Sequence, residues 1–163
     1  LLAVEQSGMD HRICFFPADR QSLVEDWLGP DHGYMPQLGN DLGQRMGNAL
    51  AAVFDQGAQR AILVGTDIPD LRACHLLKAI NLLDQHQVVV GPSFDGGYWL
   101  IGFQRDRFCP DLFFQIDWGT DTVFSTTLER CTAANLSTGL LPALQDIDSL
   151  EDLQAFQKKS NNI

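Results

Sequence analysis

The run Ala61-Ile62-Leu63-Val64 and the loop that ends it, Gly65-Thr66-Asp67-Ile68-Pro69-Asp70-Leu71, decide how this chain folds. Four apolar residues, β-branched at Ile62 and Val64, read as a strand buried on both faces of a parallel sheet. The strand stops at Gly65, and Pro69 keeps it from resuming. Ligands of open α/β sheets bind just past the carboxyl ends of such strands. Asp67 is therefore placed either to hold a metal ion or, equally well, to cap the next helix. A second apolar run, Val88-Val89-Val90, leads into Gly91-Pro92-Ser93-Phe94-Asp95-Gly96-Gly97, and a third, Tyr98 to Phe103, follows directly. Two acidic, glycine-bearing loops within about 35 residues fit one strand–helix–strand unit.

Outward from this centre, strands and helices alternate. Leu1 to Val4 reads as the last turns of a helix, and Arg12 to Phe16 as a strand closed by Pro17. Asp19 is expected to cap a helix running to Leu28, with Gly29-Pro30 as its stop. A short strand is placed at Tyr34 to Leu38. The clearest helix runs from Asp41 to about Gln56, with Leu42, Met46, Leu50, Val53 and Phe54 at helical spacing and Gly57 just past its end. Further helices are predicted from Arg72 to His86 and from Asp121 to Ala134, then a strand at Ser137 to Leu141. A last helix is marked by Leu150, Leu153 and Phe156, before the polar tail Ser160-Asn161-Asn162. Residues 1–163 read as a single domain of the α/β class.

Composition narrows the function classes. Eleven Lys and Arg stand against twenty-one Asp and Glu, a formal charge of −10. That balance argues against partners such as nucleic acid or an anionic membrane surface, which demand basic patches. A nucleotide remains compatible, because a divalent cation can sit between acidic protein and anionic ligand. No stretch approaches the roughly 20 apolar residues of a membrane span. The four cysteines, Cys14, Cys74, Cys109 and Cys131, form no C-x-x-C pair and are expected to be reduced thiols in a cytoplasmic protein. There is no G-x-G-x-x-G, no phosphate-loop motif and no G-x-S-x-G elbow.

The remaining candidates are acidic. Asp95-Gly96-Gly97 has the composition of a tight bend; functionally, its glycines would let a ligand approach the backbone. Asp148, in Asp146-Ile147-Asp148-Ser149, is either a second metal ligand or part of a helix start. Ser149 and Asp152 have a spacing close to that of a capping box. Arg45 is expected to face away from its helix's core residues, into solvent or toward a phosphate.

Five ordered motifs span nearly the whole chain: Gln37-x-x-x-Asp41-Leu42-Gly43-x-Arg45-Met46, GTDIPDL from Gly65, GPSFDGGYWLIGF from Gly91, WGTDTV from Trp118 and DIDSLEDL from Asp146. Together they resemble the nucleotide-diphospho-sugar transferase superfamily, and within it the glycosyltransferase-A-type family called selenodomain-associated transferase 1. The resemblance implies a three-layer α/β/α sandwich on a mixed, mostly parallel sheet. It implies that Asp67 holds Mg²⁺ or Mn²⁺ against nucleotide phosphates, that Asp148 completes the metal site, and that Asp95 to Tyr98 face the sugar or acceptor. Gly65, Thr66, Gly96, Gly97, Tyr98, Asp41 and Arg45 are then the substrate-binding positions, and Asp67 and Asp95 the catalytic ones.

The expected activity is that of a metal-dependent glycosyl- or nucleotidyltransferase on a nucleotide sugar. The alternative is a non-catalytic form of the fold serving as a binding or oligomerisation module. Two aspartates close together repel, so one carboxylate of an empty site is expected to titrate high. Family members begin with a strand and a basic, glycine-rich nucleotide loop, which this sequence does not contain. Losing a buried strand of about five apolar side chains forfeits on the order of 10 kcal/mol, against a typical net stability of about 5–15 kcal/mol. A compensation is therefore expected, as a homo-oligomer covering the place of the first strand, a rearranged sheet or a larger parent protein.

Overall fold

Five residues, Ser93 to Gly97, separate the strand Val88–Pro92 from the strand Tyr98–Gln104. So short a link can only fold the two antiparallel, because a parallel pair needs a crossover of a dozen or more residues. The rest of the central sheet is arranged around that hairpin. The computed structural model describes residues 1–160; Asn161 and Asn162 of the polar tail lie outside the described residues. In chain order the elements are α1 (Leu2–Ser7), β1 (Arg12–Phe15), α2 (Gln21–Leu28), β2 (Gly33–Pro36), α3 (Leu42–Asp55), β3 (Arg60–Val64), α4 (Ala73–Leu82), β4 (Val88–Pro92) and β5 (Tyr98–Gln104). Two short 3-10 turns, Arg105–Arg107 and Pro110–Phe113, then lead to α5 (Val123–Ala133), β6 (Thr138–Leu140) and α6 (Leu150–Ser160).

The main sheet has the order β3-β5-β4-β6. β5 runs antiparallel to both neighbours, whereas β4 and β6 are parallel. β3 and β4 consequently point the same way, and α4 connects them over the inserted β5. The loops after β3 and β4 therefore open at one edge of the sheet. β1 and β2 form a separate parallel pair.

Helices cover both faces, which makes the three-layer α/β/α sandwich. Alternation along β4 sends Val88 and Val90 to one side and Val89 to the other. Val88 and Val90 join Ile101, Phe103, Leu50 and Phe54 of α3, and Cys131 of α5. Val89 joins Trp99, Leu100, and Leu76 and Ala79 of α4, with Val4 of α1 packed against them. The register between β4 and β5 shifts at Gly91 and Pro92, where Leu100 and Tyr98 are the partners and Trp99 is the extra residue. Such a bulge reverses the local phase of the strand. It puts Trp99 and Leu100 in the same cluster.

Two sequence expectations are corrected. β3 is not buried on both faces of a parallel sheet. Its described partner is the antiparallel β5, and Ile62, Leu63 and Val64 remain half-buried because its other edge is unpaired among the described residues. Asp19 does not cap α2. A turn, in which Arg20 N–H donates to Pro17 O at 3.1 Å, delays the helix to Gln21 and leaves Arg20 at its cap position. Asp41, by contrast, caps α3, accepting from Gln44 N–H at 2.8 Å. The four cysteines are all free thiols, Cys131 buried and Cys74 exposed.

Phe103 is fully buried at the centre of the larger cluster, edge-on to Phe108 and Phe113. Phe103→Ala is expected to cost about 3–5 kcal/mol, measured as a lower urea midpoint with an unchanged slope.

Candidate functional site

After β3 the chain turns through Gly65, whose N–H donates to Trp99 O at 2.9 Å, and Thr66 and Asp67 emerge exposed beyond the sheet. After β4 it passes Ser93, Phe94 and Asp95 before the glycines. The third contribution comes from the segment after β6, which keeps running beside β4. Leu141 N–H donates to Val90 O at 2.9 Å, Leu144 N–H to Pro92 O at 3.2 Å, and Ser93 and Leu144 form a parallel bridge. This segment then crosses to the first loop, where Ile147 N–H donates to Asp67 O at 3.0 Å.

The result is a knot of carboxylates at the carboxyl edge of β3 and β4. Asp95, Asp146 and Asp148 each present an oxygen within 4.8 Å of the other two. Asp67 faces Asp148 closely enough for their charges to repel. Asp146 was not singled out from the sequence, although it lies two residues from Asp148. That two-residue spacing beside an already named candidate was the available signal.

Burial pushes the Asp146 carboxyl above the usual carboxylate range, and the charge of Asp95 adds to the rise. Burial also raises Asp148, helped by Asp67, Asp95 and Asp152. The helix-start alternative for Asp148 is taken up by its neighbours. Ser149 N–H donates to Asp152 at 3.0 Å and Asp152 N–H donates to Ser149 Oγ at 3.2 Å. The Ser149 hydroxyl, donating to the Asp152 carboxylate at 2.6 Å, and then the Ser149 N–H hold that carboxyl below the usual range. For Asp67 the cap alternative is likewise occupied elsewhere, since α4 begins at Ala73 with Arg72 as its cap residue.

The other predicted positions divide. Asp95 is fixed as an Asx turn, its Oδ1 accepting from Gly97 N–H at 2.9 Å. Gly96 has φ +92°, and a Cβ there would lie 2.2 Å from Asp121 O, so its close approach is to the start of α5. Phe124 N–H reinforces that seat by donating to Gly96 O at 2.9 Å. Tyr98 turns inward, its ring edge-on to Trp118 and its hydroxyl buried near Thr127, and burial raises its pKa. Arg45 stacks its guanidinium 3.8 Å over the Phe16 ring and donates to Gly39 O. Asp41 is committed to its cap. No described contact joins Tyr98, Arg45 or Asp41 to the acidic cluster.

An all-oxygen donor set of this kind suits hard divalent cations. Without one, its charges strain the fold. The raised Asp146 and Asp148 bind protons more readily folded than unfolded, so stability falls as pH rises. The penalty is absent below the unfolded value near 3.8 and complete above the raised folded values. Asp148→Asn is therefore expected to raise Tm of the metal-free protein at pH 7 and to leave it nearly unchanged at pH 3.5, by scanning calorimetry.

The family described as an uncharacterized protein conserved in bacteria (DUF2064) matches residues 1–120. Among solved structures, the chain is similar to the 1.90 Å crystal structure of a "putative nucleotide-diphospho-sugar transferase from Desulfovibrio desulfuricans G20". The two are 39% identical with a TM-score of 0.89, over 98% of this chain and 74% of that one. No curated protein matches significantly. The chain belongs to the bacterial DUF2064 family and has the nucleotide-diphospho-sugar transferase-like fold.

Proposed function

We propose that this protein is a metal-dependent glycosyl- or nucleotidyltransferase acting on a nucleotide sugar, of the selenodomain-associated transferase 1 type. The observation that carries the reading is the convergence of Asp95, Asp146 and Asp148, with Asp67 beside them, past the carboxyl ends of two neighbouring strands. Asp67, Asp146 and Asp148 are assigned to hold Mg²⁺ or Mn²⁺. Such an ion supplies positive charge against phosphate oxygens and the departing diphosphate. In a chain of net charge −10, that cation is also what admits an anionic ligand. Gly65 and Thr66, exposed beside Asp67, line the phosphate side, and Asp95 serves the acceptor side as base. An assembly-only role is not favoured, because three separate segments are brought together to make the acidic cluster.

The open edge of β3 belongs to the same reading. Its half-buried Ile62, Leu63 and Val64 and its unpaired backbone are a template for another strand. A second copy of this chain is proposed to cover it.

Titration calorimetry with Mn²⁺, alone and with GDP- or UDP-sugars, tests the site. Asp67→Asn is expected to weaken Mn²⁺ by at least about tenfold; unchanged binding removes Asp67 from the metal. Sedimentation equilibrium tests the assembly: a dimer or larger species is expected, and a monomer with a cooperative melt overturns it.

A further inference from the structure

Asp10-His11 and Asp31-His32 repeat one dipeptide at the entrances of two neighbouring strands. β1 and β2 run parallel with Arg12 opposite Gly33, so the residue before each strand faces its counterpart in the same register. The two imidazoles meet there, His11 Nε2 lying 3.0 Å from His32 Nδ1. The His32 side chain is only 12% exposed, and its other nitrogen, Nε2, lies 3.9 Å from the Glu5 carboxylate of α1. Tyr34 packs edge-on against the same ring. Beside the pair opens a cavity of about 460 Å³, lined among others by Glu5, Asp10, His11, Arg12 and Asp31. The Arg12 guanidinium is engaged on the backbone, donating to His11 O at 2.8 Å. Three carboxylates thus outnumber one cation around the paired imidazoles.

A neutral pair of histidines at this separation shares one proton. The Glu5 carboxylate favours the ring proton of His32 on Nε2, which leaves Nδ1 with a free lone pair to accept from His11 Nε2–H. A metal ion takes the place of the shared proton once the His11 proton moves to Nδ1. Glu5, His32 and the ion then form the carboxylate–histidine–metal series that orients a ligating imidazole. We propose that His11 Nε2 and His32 Nδ1 are the ligands of a transition-metal site for a divalent ion of the Ni²⁺, Cu²⁺ or Zn²⁺ kind. The site is separate from the acidic cluster and does not depend on its reading. Two nitrogens about 2.0–2.1 Å from one ion span the observed 3.0 Å when their bonds meet near a right angle. That is the tetragonal geometry of Ni²⁺ and Cu²⁺ among nitrogen and oxygen donors. Among the described residues no third His, Cys, Asp or Glu brings a ligand atom within 4.8 Å of both nitrogens. The remaining positions face the cavity, where water and the exposed Asp10 and Asp31 supply oxygen. Carboxylate clusters suit Mg²⁺ and Mn²⁺ whereas imidazoles suit Ni²⁺, Cu²⁺ and Zn²⁺, so the two sites sort ions by donor type. An ion at the histidines also pins together the first residues of β1 and β2, a pair that stands apart from the main sheet.

The test is titration calorimetry of Ni²⁺ on the full chain, with excess Mg²⁺ to occupy the acidic cluster, for wild type, His11→Gln, His32→Gln and Asp148→Asn. Wild type is expected to bind a single Ni²⁺ with Asp148→Asn matching it, and each histidine variant to bind at least about tenfold more weakly, since losing a ligand costs no less than losing its outer partner. Ni²⁺ is expected to raise the Tm of wild type but not that of His11→Gln. Cu²⁺-loaded wild type is expected to show an electron paramagnetic resonance signal split by two imidazole nitrogens, a readout that needs no variant to fold. Absence of Ni²⁺ binding by wild type overturns the inference, as does binding by either histidine variant as tight as wild type. A loss in Asp148→Asn equal to that in the histidine variants, or a Cu²⁺ signal with fewer than two nitrogens, overturns it equally.

Discussion

One backbone hydrogen bond, from Ile147 N–H to Asp67 O at 3.0 Å, closes the end of this sheet. Without it the loop after β3 and the segment after β6 would be neighbours of different strands with β5 and β4 between them. With it, the two peptides are locked across the mouth of the sheet, and each carries its carboxylates to the same place. The lock depends in turn on the parallel run of residues 138–144 along β4, which is anchored by Leu141 N–H to Val90 O and by the Ser93–Leu144 bridge. Trp99 secures it from below, its indole N–H donating to Pro142 O at 3.2 Å. The site is thus an extension of the sheet's own hydrogen bonding. Its carboxylates sit on backbone that the core already fixes.

That rigidity has an electrostatic consequence. Like charges on mobile loops separate at little cost, whereas charges on locked backbone must either protonate or find a counter-ion. Among the described residues the ion pairs lie elsewhere, at Arg20–Asp19, His32–Glu5, Arg60–Asp84 and Arg107–Asp106. Burial raises the Asp146 and Asp148 carboxyls, and the unrelieved repulsion within the cluster adds to the rise.

Much of this was legible in the sequence, and the failures have physical causes. Asp67 and Asp95 were readable because each follows an apolar run broken by glycine, which marks the carboxyl end of a strand. The antiparallel direction of β5 was equally present, in a five-residue link too short for a crossover. The burial of β3 was not readable, because an apolar run reports what its side chains prefer and not whether a neighbour covers its edge. Tyr98 shows the same limit. Its place beside Gly96-Gly97 marks it for the site, yet the first residue of β5 faces the α3–α5 layer, where Trp118 and Thr127 enclose it. Asp146 was missed because the reading of that segment stopped at Asp148, two residues on, and nothing in the sequence says that both carboxylates come to the same place.

The glycines of the acidic loop carry the last step. Read as a sequence, Gly96-Gly97 offers either a tight bend or a bare backbone for a ligand to approach. Gly96 does something else: a Cβ at this position would sit 2.2 Å from Asp121 O, so the loop can lie directly on the first turn of α5. Phe124 N–H then closes on Gly96 O, one of the amides that a helix start leaves without an intrahelical acceptor. The loop is thereby held from the α5 side while Asp95 and Ser93 reach toward the segment after β6. A larger residue at 96 would lift the loop off α5 and move Asp95 with it. The glycine that looks like room for a ligand is what keeps Asp95 where Asp146 and Asp148 can meet it.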